Sequence, residues 1–220
     1  MMTRAVIFDV DGVLVDSYRA HLESWLGVAR EWGLEITEED FARTFGRTSR
    51  EIIAEFWGEG LDESERRAID DRKESLYRGI ISRSFPAMDG AAELVRELHG
   101  AGFRLAVGSS APPENIQLSL ERLGVRDLFE VVVTGRDVTR GKPDPQVFQI
   151  AAERLAVPPS CCVVVEDAPA GVAAAKAAGM RCIALAGTAT PDRLAAADRV
   201  VSSLREIDHA VVDRLPSEPP

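Results

Sequence analysis

Asp9 and Asp11 flank Val10 at the end of an apolar run, in the stretch AVIFDVDGVLVDS at residues 5–17. Carboxylates at that spacing repel each other, and apolar strands disfavour them. Three readings fit the residues: a metal-binding loop, a solvated turn, or a nucleophile with its own acid/base partner. A calcium loop of EF-hand type starting at Asp9 fails. It needs glycine at its sixth position and glutamate at its twelfth, where Leu14 and Ala20 stand.

Three further clusters follow apolar runs. Gly108, Ser109 and Ser110 come after FRLAV (103–107). Thr134 and then Lys142, in RGKPDP, come after EVVV (130–133). Glu166 and Asp167 come after CCVVV (161–165). Each has a bland reading: turn or N-cap serines, a surface lysine, helix-capping acids. Lysine is scarce, however. Lys73, Lys142 and Lys176 are the only lysines among 26 basic residues, which weighs against Lys142 as mere surface charge.

As a set, these groups fit phosphoryl transfer. Four converging carboxylates cannot all stay ionised without a cation. A hard divalent ion with oxygen ligands, Mg²⁺, is the natural answer. Lys142 and the Ser109 hydroxyl can hold phosphate oxygens. A carboxylate screened by the ion can attack phosphorus. The resulting acyl phosphate is open to water or another hydroxyl. A second carboxylate two residues on can protonate the leaving oxygen and later deprotonate the incoming nucleophile.

Such convergence requires a sheet whose strands end together. RAVIF (4–8), FRLAV, EVVV, CCVVV and RCIAL (181–185) are short, rich in β-branched residues and bounded by turn residues. Helical patterns lie between them, over 93–102, 112–123, 144–155 and 168–178. Continuously apolar strands alternating with helices predict a parallel sheet covered on both faces, with ligands bound beyond the strands' carboxyl ends. Residues from about 16 to 84 break that rhythm. They read as helices near 17–32, 38–43, 49–57 and 62–83, which predicts an all-helical insertion. The expected division is a core of 1–15 and 85–220 and a helical domain of 16–84.

The four clusters, taken in order, resemble the motifs of the haloacid dehalogenase superfamily, close to its β-phosphoglucomutase-like phosphatases. FDVDGVLVDS matches the first motif, Ser109 in VGSS the second, Lys142 in GKPDP the third, and VEDAPAG (165–171) the fourth. The resemblance implies an α/β fold: a Rossmann-like three-layer core with a central parallel sheet, plus an all-helical cap inserted after the first strand. It implies Asp9 as nucleophile and Asp11 as acid/base. Mg²⁺ would be held by Asp9, the backbone carbonyl of Asp11, Asp167 and, directly or through water, Glu166. Dehalogenases and phosphonate-cleaving relatives lack an aspartate at the Asp11 position, so phosphate esters are favoured.

In the cap, His21 and Trp25 of HLESW resemble a histidine and a tryptophan that open the β-phosphoglucomutase cap. Gly46, Arg47 and Arg50 of GRTSRE resemble its glycine–arginine segment, and Lys73 of DRKESLY a lysine of its last cap helix. GRTSRE is one residue longer than the mutase pattern, so Arg47 and Arg50 compete for one role. Phe45 stands where the mutases have lysine. With Ser109, Ser110 and Lys142, these cap residues are the expected substrate-binding groups.

Composition narrows the partners. The 220 residues carry a net charge of −10, which argues against nucleic acid or an anionic membrane as the main partner. The cysteines, Cys161, Cys162 and Cys182, are odd in number and form no CxxC, so they read as reduced thiols of a cytoplasmic protein. No signal-peptide pattern opens the sequence, and no apolar run approaches a membrane span. The expectation is a cytoplasmic, Mg²⁺-dependent phosphatase of a small, sugar-phosphate-like monoester, acting through an Asp9 aspartyl phosphate as a monomer or weak homodimer. A phosphomutase using the same intermediate is the alternative, and a non-catalytic metal-binding protein on the same fold the distant one.

Overall fold

The computed structural model describes residues 4–44 and 47–215. The chain divides into two compact units, Ser17–Pro86 and Met1–Asp16 with Ala87–Pro220. Among the described residues, no helix is long and apolar enough to cross a bilayer.

The first unit is helical: α1 (Tyr18–Glu31), α2 (Glu38–Thr44), α3 (Ser49–Trp57) and α4 (Glu63–Arg83). Leu22, Trp25, Val28 and Ala29 recur at helical spacing and make α1's buried face. They pack with Phe41, Ile52, Ile53 and Ile69 from the other three helices. Two starts are fixed by capping boxes, Thr48 with Glu51 for α3 and Asp62 with Glu65 for α4. Thr48 and Glu51 therefore account structurally for part of GRTSRE.

The second unit is built on six parallel strands: β1 (Ala5–Phe8), β2 (Arg104–Gly108), β3 (Val131–Val133), β4 (Cys162–Glu166), β5 (Arg181–Leu185) and β6 (Arg199–Val201). Their order is β3-β2-β1-β4-β5-β6. The helices are α5 (Ala91–Gly100), α6 (Pro113–Leu123), α7 (Gln146–Arg154), α8 (Pro169–Ala177) and α9 (His209–Arg214). Ala5, Ile7, Ala106 and Val164 share one core with Phe148 and Ala151 of α7 and with Val172 and Ala175 of α8. Alternation turns Phe8 to the opposite face, where it meets the Phe129 ring edge-on at 6.0 Å. All four β1 residues are buried, as in a strand covered on both faces.

This is a doubly wound, Rossmann-like sheet. The chain steps outward from β1 to β3 and then returns to lay β4 on the other side of β1. That reversal is the topological switch point, where such sheets bind ligands. Sequence patterning missed β6 and α9. The strand has three residues, the first of them exposed, and pairs only with β5. The helix has six. Neither is long enough to show a period.

Candidate active site

Phe8 pairs with Val165 in register, and Asp9 extends that ladder by donating its N–H to the Val165 carbonyl at 3.0 Å. Asp9 thus sits beside Glu166 and Asp167, across the switch between β1 and β4. Oxygens of these three buried carboxylates lie within 4.8 Å of one another. The Asp11 side chain is half-buried, outside that trio, and close enough to push the Asp9 carboxyl upward. A tight turn holds it there. Gly12 donates its N–H to the Val15 carbonyl at 2.8 Å, and the Leu14 and Val15 N–H groups both return to the Val10 carbonyl.

Lys142 answers part of this negative charge. Its Nζ lies 2.9 Å from Asp9 Oδ1 and 2.7 Å from Glu166 Oε1. Glu166 Oε2 in turn accepts the Asp167 and Ala168 N–H groups, both at 2.7 Å. One glutamate therefore braces the lysine and also takes up the backbone at the entry to α8. Ser109 extends the β2–β3 ladder, with its N–H on the Val133 carbonyl at 3.1 Å. Its buried hydroxyl accepts the Ala111 N–H at 3.2 Å. Ser110 follows on the surface, its carbonyl close against Gly135 of the loop after β3.

One ammonium does not balance the set. Burial, and after it Glu166 and Asp11, outweigh Lys142 and raise the Asp9 carboxyl from 3.8 to about 7. Burial, Glu166 and Asp9 likewise hold Asp167 well above the usual carboxylate range. Burial alone would depress the Lys142 ammonium, but Asp9 and Glu166 lift it above its ordinary value. A metal-free cluster of this kind must retain protons, and a divalent cation would replace them. Oxygen-only donors packed this closely fit a hard ion such as Mg²⁺.

Two glycines make room for the carboxylates. A methyl group on Gly171 would lie 1.7 Å from Glu166 Oε1, and one on Gly12 would lie 1.9 Å from Asp167 Oδ2. Each belongs to a motif, but only the packing shows what its missing side chain admits.

A family profile described as haloacid dehalogenase-like hydrolase matches residues 3–179. The chain belongs to the haloacid dehalogenase-like hydrolases. Within that family it is similar to validoxylamine A 7'-phosphate phosphatase of Streptomyces hygroscopicus subsp. limoneus, 33% identical over 215 residues covering 94% of this chain and 96% of the relative. It is also similar to β-phosphoglucomutase of Bacillus subtilis, 33% identical over 184 residues and 80% of each chain. Among solved structures, CbbY from Rhodobacter sphaeroides in complex with phosphate superposes with a TM-score of 0.88 at 28% identity, covering 96% of this chain and all of that one. This haloacid dehalogenase-like chain is thus an enzyme of the phosphatase or phosphomutase type.

The residues expected to bind substrate in the helical unit divide in two. His21, Trp25 and Lys73 come together inside it. Lys73 Nζ lies 3.0 Å from His21 Nδ1, 2.8 Å from Glu74 Oε1 and 5.3 Å from the centroid of Trp25. The His21 ring stacks on Tyr77, with centroids 4.3 Å apart. Trp25 is fully buried in the helical core, so it is packing first. Arg47 and Arg50 lie at the exposed start of α3. Arg47 is tied to Glu55, whereas Arg50 shows no ion pair among the described residues. Gly46 lies outside the described residues. Tyr77 was missed in sequence because a charged, uneven helix such as α4 hides which residues point inward, and the same packing buries the Lys73–Glu74 pair.

Thr188 was missed as well. It hydrogen-bonds the Asp167 carboxylate from the loop after β5. The strand-end rule that found the other groups applies equally to RCIAL, and the first hydroxyl after it is Thr188.

Proposed function

We propose that this protein is a Mg²⁺-dependent phosphatase of small, sugar-phosphate-like monoesters, working through an aspartyl phosphate on Asp9. One observation carries the reading: three buried carboxylates, with oxygens within 4.8 Å of one another, share a single ammonium at the sheet's switch point. Asp9, Asp167, the Asp11 backbone carbonyl and, directly or through water, Glu166 would hold the ion. When bound, Mg²⁺ neutralises the carboxylates and the phosphate oxygens so that anion can meet anion.

The chain's own residues supply the steps. An Asp9 oxygen attacks phosphorus, forming the aspartyl O–P bond as the ester P–O bond breaks. Asp11 gives its proton to the departing alkoxide. It then takes a proton from the incoming water, whose oxygen displaces Asp9 and releases phosphate. Lys142 holds a positive charge against Asp9 and the phosphoryl oxygens, and Ser109 offers a hydroxyl to the same group. Half-burial suits Asp11 to this work, because a proton carrier needs access to solvent. The buried Asp9 is better suited to attack.

The substrate class rests on the relatives, whose names include a validoxylamine A 7'-phosphate phosphatase, a phosphorylated carbohydrates phosphatase and a β-phosphoglucomutase. The mutase supports a second reading, in which a sugar hydroxyl replaces water in the second step. The helical unit is the proposed selector of substrate. Arg50 is its favoured cation, since Glu55 already occupies Arg47. The test is phosphate release across metabolite monoesters with and without Mg²⁺. A parallel assay follows conversion of β-glucose 1-phosphate to glucose 6-phosphate with a bisphosphate primer. Mg²⁺-dependent phosphate release supports the phosphatase. Isomerisation without release supports the mutase, and inactivity in both sinks the proposal.

A further inference from the structure

The loop after β5 has no part in the chemistry above, yet it reaches the same carboxylates. Its course is fixed at several points. Ala186 donates its N–H to the Val201 carbonyl at 2.8 Å, and Gly187 donates to the Ala189 carbonyl at 3.2 Å. Ala189 is buried in the core formed with α7 and α8. With Ala189 turned inward, its neighbour Thr188 turns the other way, toward the end of β4. There its hydroxyl meets Asp167. The space above Gly12 marks the junction, because a methyl group at that position would lie 1.9 Å from Asp167 Oδ2 and 2.9 Å from Thr188 Oγ1. Gly12, Asp167 and Thr188 thus converge from three separate loops.

We propose that Thr188 is a positioning residue for the divalent ion, holding the Asp167 carboxylate in the rotation that presents it to the metal. The proposal rests on the Mg²⁺ reading of the cluster. Once an ion is bound, Asp167 is a carboxylate that only accepts hydrogen bonds, and the hydroxyl is then the donor. A carboxylate has two oxygens and spare lone pairs, so one hydroxyl fixes its rotation without using up its capacity for an ion. Partners of this kind orient a ligand before the metal arrives, and losing one typically costs about 10–100-fold in metal affinity. The neighbouring carboxylates of the cluster, Asp9 and Glu166, are acceptors of the same sign and do not orient Asp167. Thr188 supplies what they lack. It is itself exposed, so its removal should leave the fold intact.

The test is calorimetric titration of the metal-stripped full chain with MgCl₂, for wild type, Thr188→Val and Thr188→Ser. Valine keeps the shape and loses the donor, whereas serine keeps the donor. The expected result is Mg²⁺ affinity about tenfold weaker in the valine variant and restored in the serine variant. The metal-free melting temperature should be unchanged in both. If the valine variant misfolds, Thr188→Ala takes its place. Equal affinity in wild type and the donor-less variant would overturn the role of Thr188 and leave the metal site standing. A wild-type chain that takes up no Mg²⁺ would overturn the metal reading, and this role with it.

Discussion

Lys142 and Lys73 are both ammonium groups withdrawn from water, one at the strand ends of the sheet unit and one inside the helical unit. Their surroundings differ. Lys142 faces Asp9 and Glu166, with Asp167 in the same cluster, so negative charge is in excess. Lys73 pairs with Glu74, meets an imidazole nitrogen, lies over the Trp25 and Tyr77 rings, and has the Asp70 carboxyl close enough to interact with it. Lysine has donors only, so His21 must accept through Nδ1 and carry its proton on Nε2. The first cluster sets three carboxylates around one ammonium, whereas in the second the ammonium also rests against an imidazole and two aromatic rings. The proposed chemistry belongs with the first cluster, and a part in the packing of the helical unit with the second.

The sharpest way to break that contrast is Asp9→Asn. Turnover should fall on the order of 10⁴-fold or more, measured as phosphate release from p-nitrophenyl phosphate. Near-wild-type release would remove the imbalance from the mechanism. Next in size is metal removal. EDTA should silence the enzyme, and Mg²⁺ should restore it.

Stability should follow the same ion with a definite sign. Asp9 binds its proton up to about 7 when folded, against 3.8 ordinarily. Between those values the folded chain holds a proton that the unfolded chain has released, so metal-free stability falls as pH rises through that window. Mg²⁺ removes the penalty. The Mg²⁺-induced rise in Tm should therefore be larger at about pH 8 than at about pH 5. A rise that shrinks with pH would contradict the assignment.

A smaller effect tests the packing that shapes the first cluster. Gly171→Ala places a methyl group on Glu166 Oε1. Glu166 must move, and Mg²⁺ affinity should drop by about tenfold or more in calorimetry. On the other side of the comparison, Glu74→Ala removes the buried ion-pair partner of Lys73. Denaturant melts should show a loss of about 3–5 kcal/mol, with kcat on p-nitrophenyl phosphate much less affected. An equal collapse of kcat would mean that the helical cluster takes part in the chemistry.

The two regions were unequally legible in the sequence. Asp9, Ser109, Glu166 and Asp167 stand at the ends of apolar strands, with Lys142 in the loop beyond β3, and a parallel sheet gathers such positions at one edge. Their types and order carried both the fold and the family. Thr188 obeys the same rule, but two small residues, Ala186 and Gly187, separate it from the end of β5. The charge state of Asp9 depends on burial and on neighbours from other strands, which no local pattern records. In the helical unit, Glu74 looks like one more acid in DRKESLY, and only the packing of α4 on α1 turns it inward. Arg47 and Arg50 could not be separated by spacing, because the deciding contact, Glu55, lies two turns further along α3.

In the proposed mechanism Asp9 itself carries the phosphoryl group. Rapid acid quenching during turnover of p-nitrophenyl phosphate with Mg²⁺, followed by mass spectrometry of peptides, tests it directly. The expected product is one phosphoryl group on Asp9 that survives the acid quench and is released by hydroxylamine, absent without Mg²⁺ and absent in Asp9→Asn. A phosphoryl group on Asp11 or Ser109, or steady turnover by Asp9→Asn, would contradict it.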